Sequence, residues 1–291
     1  MNDNLLNKTI FMTGATSGLG KVSALKAANE GATLIVLARD KEKSQLLIED
    51  YKKQYPDGRG KIELVEGNLT SFESTSNACN EVSSRFPVID MIVNNAGIMN
   101  FEYKESDDHI EETFQVNLLS PLLVCHLLLE NLKRSNSAKI IFTSSQMHQG
   151  EIYFDNLEFK DNFSSFKVYR HSKLAVILVC RTLAEELDKH QIGIYSQHPG
   201  MVRTELGRSA GWFAKFIFYL MGSSAEKGSQ TLSYLIETKK DLLKTGEYYS
   251  QKKVTKTTEQ SYNLATGEKI IEVARDYLSP YITSNSLIFK K

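Results

Sequence analysis

Tyr169-Arg170-His171-Ser172-Lys173 places a phenol and an ammonium four residues apart, on one face of any helix that carries them. The run that follows, Leu174-Ala175-Val176-Ile177-Leu178-Val179-Cys180, is apolar before the sequence turns polar again, which predicts a partly buried helix. A free tyrosine titrates near ~10, too high for efficient proton exchange at neutral pH. A neighbouring lysine cation favours the phenolate and is expected to pull that value down. A Tyr-x-x-x-Lys pair is therefore an acid/base device suited to a carbonyl or an alcohol. The same spacing also arises by chance on many helices, so its meaning depends on the elements that would position it.

Short β-branched runs alternate with amphipathic stretches through the first two thirds of the chain. Strands are expected at residues 9–13, 33–38, 61–66, 89–94, 138–143 and 193–197, and helices at 19–30, 41–55, 72–86 and 110–132. This alternation implies right-handed βαβ units and a parallel sheet with helices on both faces. Leu34-Ile35-Val36-Leu37 is continuously apolar, as a strand covered on both faces requires. No internal repeat and no Pro/Gly/Ser-rich linker divides the chain, so one domain is expected over 1–291. Two stretches break the rhythm, 146–166 and 202–224. Long irregular segments in such a domain are usually functional.

Thr13-Gly14-Ala15-Thr16-Ser17-Gly18-Leu19-Gly20 falls where the first strand turns into the first helix. Glycines there permit a tight turn and let backbone N–H groups approach a pyrophosphate at the helix N-terminus. At the end of the second strand, an acidic residue would accept the ribose 2′-OH of NAD. Leu37-Ala38-Arg39 stands in its place, and a guanidinium fork suits a phosphate. That favours NADP(H); the alternative is an Arg39 that caps an exposed loop, partly neutralised by Asp40. Asn94-Asn95-Ala96-Gly97 follows the fourth strand and reads either as a turn or as small residues at the ligand-binding edge of the sheet. Asn117 lies within the apolar Phe114-Gln115-Val116-Asn117-Leu118-Leu119 and must find hydrogen-bond partners, as a satisfied core amide or as one that orders a water for proton relay. Ser144 and Ser145 close the fifth strand, where a hydroxyl can donate to a substrate oxygen. His198-Pro199-Gly200 follows the last strand of the series. His148 and His198 have no partners at metal-ligand spacing and are read as structural or loop residues; no metal site is expected.

The 35 basic and 35 acidic side chains cancel, which leaves no electrostatic footprint for nucleic acid. Cys79, Cys125 and Cys180 are scattered and odd in number, so neither a disulfide framework nor a zinc site is expected, and a reducing, cytoplasmic setting is. Residues 1–7 are polar and no apolar run is long enough to span a bilayer, so neither a signal peptide nor an integral membrane segment is expected.

Taken in order, Thr-Gly-x-x-x-Gly-x-Gly, Asn-Asn-Ala-Gly, an internal Asn, Ser and Tyr-x-x-x-Lys make the chain resemble the short-chain dehydrogenase/reductase family over about residues 8–250. Ala38-Arg39-Asp40, Ser144-Ser145-Gln146-Met147-His148, the long gap between Ser145 and Tyr169, and His198-Pro199-Gly200 resemble its retinol-dehydrogenase-like branch. The expected fold is α/β, a single doubly wound Rossmann domain with a mostly parallel seven-stranded sheet and a C-terminal extension over about 251–291. The resemblance implies a catalytic tetrad of Asn117, Ser145, Tyr169 and Lys173. Ser145 would position the carbonyl oxygen, Tyr169 transfer the proton, and Lys173 hold the nicotinamide ribose. It implies cofactor contacts from Gly14, Thr16, Ser17, Gly18, Leu19, Gly20, Arg39, Asn68, Leu69, Asn95, Ala96, Gly97, Tyr169, Lys173, Pro199, Gly200, Val202 and Thr204, the last at the nicotinamide carboxamide. Two departures stand out. Asn68-Leu69 replaces the family's Asp-Leu, which alters the polarity of the adenine contact, and a counterpart of the N-terminal anchor of membrane-bound retinol dehydrogenases is not expected.

The implied activity is NADP(H)-dependent interconversion of a carbonyl and an alcohol on a small hydrophobic molecule. The alternative is a non-catalytic nucleotide-binding sensor or scaffold on the same fold. A homo-oligomer is compatible with either. Trp212-Phe213-Ala214-Lys215-Phe216-Ile217-Phe218-Tyr219-Leu220-Met221 is too apolar for an ordinary surface loop, and a lid over the substrate is the expectation for 202–224, with core or interface as alternatives.

Overall fold

Short, largely apolar runs form the strands β1 (Thr9–Thr13), β2 (Thr33–Ala38), β3 (Lys61–Glu66), β4 (Met91–Asn94), β5 (Lys139–Thr143) and β6 (Gly193–His198) in the computed structural model, which describes residues 3–199, 225–282 and 287–289. Two short strands follow, β7 (Tyr248–Ser250) and β8 (Lys253–Val254). The sheet order is β3-β2-β1-β4-β5-β6-β7-β8. Neighbours from β3 to β7 are parallel, and β8 returns antiparallel through Tyr249↔Val254. The sheet therefore has eight strands where seven are expected. The extra one is a two-residue return, made possible by left-handed backbone at Gln251 (φ 51) and Lys252 (φ 65).

Alternation of side chains along each strand feeds two cores. Phe11 of β1 joins Ile35, Ile92, Ile140, Phe142 and Ile194 on one face. Ile10 and Met12 join Leu34, Val36, Met91, Val93, Ile141 and Tyr195 on the other. The first face is covered by α3 (Phe72–Arg85), α5 (Ser120–Leu127), α7 (Ser165–Lys189) and α9 (Leu264–Leu278), the second by α1 (Gly18–Asn29), α2 (Lys41–Gln54) and α8 (Ala225–Glu237). Each fully buried aliphatic side chain contributes about 1.5–3 kcal/mol, so neither layer can be peeled away cheaply.

The helix expected over 110–132 is divided. It begins as α4 (Glu112–Phe114), passes through a π turn at Gln115–Leu119, resumes as α5 with Pro121 in its first turn, and ends as α6 (Leu129–Lys133). The apolar periodicity runs through these joints, which is why the sequence reads as one helix. π turns inside helices occur often at functional sites, and this one carries Asn117.

Within the expected C-terminal extension, Ile270, Ile271, Ala274 and Leu278 of α9 enter the same core as Leu174 and Leu178 of α7. Arg181 stacks on Tyr262 at 3.7 Å and its Nη1 donates to Ser261 O at 2.8 Å. At the amino end of β5, buried Lys139 closes the C-terminus of α8. Its Nζ donates to the carbonyls of Leu235, Ile236 and Thr238 at 2.7, 2.8 and 2.8 Å, groups that a helix end otherwise leaves without partners. Among the described residues, no helix is long and apolar enough to cross a membrane.

Candidate active site

Strand order reverses between β1 and β4, and open α/β sheets bind ligands at the carboxyl ends of the strands beside such a reversal. The glycine turn lies there. Gly14 has φ +66, and a Cβ on it would lie 2.7 Å from Ala96 Cα. A Cβ on Gly20 would overlap Gly14 O and the Asn95 amide. The turn thus needs glycine both for its conformation and for its close packing on the Asn95-Ala96-Gly97 segment. α1 starts at this turn with Ser17 as an N-cap whose side chain makes no capping bond, and with no acidic residue in its first turn. Its leading N–H groups are left to an external anion, as a pyrophosphate site requires.

The ends of four strands are joined in one chain of hydrogen bonds. Asn95 Nδ2 donates to Gly14 O at 2.9 Å, Thr143 Oγ1 donates to Asn95 Oδ1 at 3.2 Å, and Gln197 Nε2 donates to Thr143 Oγ1 at 2.9 Å. Ala96 N donates to Thr13 Oγ1 at 3.1 Å. Asn94 turns inward, where its Nδ2 lies 3.2 Å from Cys125 Sγ. The Asn-Asn-Ala-Gly turn is therefore a structural joint at the expected ligand edge.

All four residues of the expected tetrad converge on this edge. Lys173 Nζ donates to Thr143 O at 3.0 Å and lies 5.6 Å from the centre of the Tyr169 ring. Asn117, on the π turn, holds both polar groups of one backbone residue: its Nδ2 donates to Ile98 O at 3.0 Å and its Oδ1 accepts from Ile98 N at 2.9 Å. The same Nδ2 reaches Ser172 Oγ at 3.0 Å. Gly97 leaves room beside both, since a Cβ there would lie 3.1 Å from Lys173 Nζ and 3.3 Å from Asn117 Oδ1. Ser145 is near enough to Tyr169 to favour its phenolate, and its Oγ accepts from Met147 N at 3.0 Å. Ser144 points the other way, donating to Lys173 O at 2.8 Å, and so pins α7 to the end of β5.

Burial dominates the electrostatics of this group. It raises Tyr169 above the usual phenol value, with the nearby Ser145 hydroxyl pulling back, and it pushes Lys173 down to about 7. The expected lowering of Tyr169 by Lys173 is not what the structure gives. A desolvated lysine that is itself half-deprotonated near neutral pH supplies little cationic field.

The remaining expected contacts spread along the same edge. Arg39 follows β2, is exposed, and has no hydrogen bond or ion pair among the described residues. Asp40 does not neutralise it. Its Oδ1 caps α2 by accepting from Lys43 N at 3.0 Å, its Oδ2 pairs with Lys43 Nζ at 3.6 Å, and the backbone bond holds its carboxyl below the usual range. Asn68 Oδ1 accepts from Thr70 N at 3.2 Å in an Asx-type turn, and its Nδ2 has no hydrogen bond among the described residues. Leu69 and Leu19 are buried, Thr16 is half-buried and Ser17 is exposed. Pro199 directly follows β6. Gly200, Val202 and Thr204, and the lid expected over 202–224, lie outside the described residues. His171, between the tyrosine and the lysine, turns away from the site: its Nε2 accepts from Tyr153 N at 3.2 Å and its ring packs on Phe159 at 5.4 Å.

Four residues that sequence reasoning passed over hold this arrangement together: Thr13, Thr143, Ser172 and Gln197. Thr13 and Thr143 sit at strand ends and Ser172 within the Tyr-x-x-x-Lys motif, which was the available signal. Gln197 gave none, because its partner is set by the β5–β6 register, Thr143↔Gln197.

A family model for short chain dehydrogenase matches residues 8–212. Retinol dehydrogenase 14 of Mus musculus is 34% identical over 243 residues, 78% of this chain and 73% of that protein. Retinol dehydrogenase 11 of Homo sapiens is 30% identical over 278 residues, 94% of this chain and 86% of that protein. Among solved structures, an uncharacterised protein from Mycobacterium paratuberculosis gives a TM-score of 0.77 at 23% identity, covering 94% of both chains. A short chain dehydrogenase from Escherichia coli CFT073, complexed with NADPH, gives 0.68 at 22% identity, covering 86% of this chain and 98% of that one. With the glycine turn and the converging tetrad residues in place, these matches establish that the chain belongs to the short-chain dehydrogenase/reductase family of oxidoreductases, on its retinol-dehydrogenase-like branch.

Proposed function

We propose that this chain is an NADP(H)-dependent oxidoreductase that interconverts a carbonyl and an alcohol on a small hydrophobic molecule, with Tyr169 as the acid/base. The observation that carries this reading is the meeting of Tyr169, Ser145 and Lys173 beside the glycine turn. The residues present fit the cofactor. Gly14, Thr16, Ser17, Gly18, Leu19 and Gly20 would hold the pyrophosphate, Arg39 the 2′-phosphate, and Asn68 and Leu69 the adenine. Asn95, Ala96, Gly97, Lys173 and Pro199 would line the nicotinamide half, with Gly200, Val202 and Thr204 expected beyond them.

When bound, the reduced nicotinamide supplies a hydride to the carbonyl carbon. The chain supplies orientation and the proton. Met147 N–H occupies a lone pair of Ser145 Oγ, so the Ser145 hydroxyl hydrogen is available to donate to the substrate oxygen. Tyr169 delivers its phenolic proton to that same oxygen as the alcohol forms. Its raised pKa keeps it protonated at neutral pH, the state needed for reduction, which is the direction we assign. Lys173 has one hydrogen committed to Thr143 O and the others free for ribose hydroxyls. Burial of Tyr169 and Lys173 excludes water from the proton path.

Relatives named retinol dehydrogenases make retinal a natural first substrate to test. A cytoplasmic, reducing setting fits the three cysteines, which are free and buried. The experiment is NADPH consumption with a panel of hydrophobic aldehydes that includes retinal, repeated with NADH. Turnover that is faster with NADPH supports the reading. NADPH binding without turnover on any aldehyde favours the sensor or scaffold role.

A further inference from the structure

The peptide that follows Ser145 is held at both of its polar ends by imidazole rings. Its carbonyl, Ser145 O, lies 2.7 Å from His148 Nδ1, and its N–H, from Gln146, donates to His198 Nδ1 at 3.2 Å. A carbonyl only accepts, so His148 carries its proton on Nδ1. A backbone N–H only donates, so Nδ1 of His198 is bare and its proton sits on Nε2. The two rings therefore use opposite tautomers on one peptide plane. Both are buried, at 5% and 8% exposure, and burial lowers both, His198 to about 4, which keeps them neutral. Their supports differ. His148 packs on Tyr248 of β7 with ring centres 5.3 Å apart, while His198 is the last residue of β6, in register with Ser250.

We propose that His148 and His198 are positioning residues that clamp the Ser145–Gln146 peptide and thereby aim the Ser145 hydroxyl at the substrate oxygen. The peptide plane fixes where Cα and Cβ of Ser145 point. The same turn brings Met147 N to Ser145 Oγ at 3.0 Å, which sets the hydroxyl rotor. Two neutral rings are needed because a peptide presents one acceptor and one donor. His198 also begins the His-Pro-Gly run, so the element expected to line the nicotinamide starts at the clamp. This inference rests on the assignment of Ser145 to the reaction.

An asparagine amide places its Oδ1 or Nδ2 close to where a histidine places Nδ1, whereas phenylalanine keeps the ring without the polar atom. His148→Phe and His198→Phe should each lower kcat by about 10- to 100-fold, the scale of a displacement of roughly 1 Å at a reacting group. NADPH affinity should change by less than about threefold, since neither ring touches the cofactor turn. His148→Asn and His198→Asn should recover most of the lost rate. Equal kcat for the Phe and Asn variants at either position, high or low, overturns the clamp and leaves the rings as packing. Ser145→Ala is the control. If it keeps the wild-type rate, the reading of the reaction fails; if it is inactive while His148→Phe and His198→Phe turn over normally, the clamp alone fails. Nitrogen NMR of histidine-labelled wild-type protein scores the clamp without any substrate. It should show one buried ring protonated on Nδ1 and the other on Nε2, assigned by their loss in the two Asn variants. Matching tautomers would overturn it.

Discussion

Thr143 carries Lys173 on its carbonyl and Asn95 on its hydroxyl: Lys173 Nζ donates to Thr143 O at 3.0 Å, and Thr143 Oγ1 donates to Asn95 Oδ1 at 3.2 Å. Asn95 in turn holds Gly14 O at 2.9 Å. A single threonine at the end of β5 thus ties the proposed proton-transfer pair to the proposed pyrophosphate turn. Strand register, Thr13↔Asn94 and Asn94↔Phe142, brings the three strand ends side by side so that these bonds can form.

The buried state of Lys173 has a consequence for stability. Burial lowers its pKa from 10.5 to about 7. Between those values the unfolded chain binds a proton that the folded chain does not. The contribution of this group to stability therefore rises as pH goes from about 7 toward ~10.4 and is lost as pH falls through 7. Melting curves of cofactor-free protein should show a steeper rise of Tm over that window for wild type than for Lys173→Met. Parallel curves would mean that Lys173 is not desolvated.

Arg39 should set cofactor choice. It is exposed with no partner among the described residues, and only NADPH offers it a 2′-phosphate. Arg39→Ala should weaken NADPH about ten- to a hundredfold, the value of a charge-assisted hydrogen bond of roughly 1.5–3 kcal/mol, and leave NADH nearly unchanged. The ratio of the two dissociation constants is the measurement. Equal losses, or a wild type that already prefers NADH, would remove the assignment.

Gly20 should tolerate no side chain. In Gly20→Ala the methyl group meets Gly14 O and the Asn95 amide, so the turn must open. Titration with NADPH should show an affinity at least about tenfold weaker, because the backbone can no longer approach the pyrophosphate. Circular dichroism should stay close to wild type. Undiminished affinity would show that the turn does not hold the cofactor.

Much of this was legible in the sequence because it is local. The six main strands carry apolar runs long enough to register, and the glycine turn and Tyr-x-x-x-Lys lie within single segments. β7 and β8, of three and two residues, are too short for any periodicity to register. The break of the 110–132 helix was hidden because Asn117 sits in an unbroken apolar pattern, and its reason, a bond to Ile98, is tertiary. The raised Tyr169 and lowered Lys173 depend on burial, which spacing does not report. Likewise His148 and His198 stand 50 residues apart and meet one peptide only because β5 and β6 are neighbours.

The most direct test of the account is Tyr169→Phe, which removes the phenolic proton and keeps the ring. With NADPH and an aldehyde that the wild type reduces, turnover should fall by at least ~10²–10⁴-fold, the usual contribution of a general acid, to the point of being abolished in practice. NADPH affinity, read by titration of the same protein, should remain nearly intact. A variant that keeps more than a small fraction of the wild-type rate, with chemistry still rate-limiting, would contradict the assignment of Tyr169 as the acid/base.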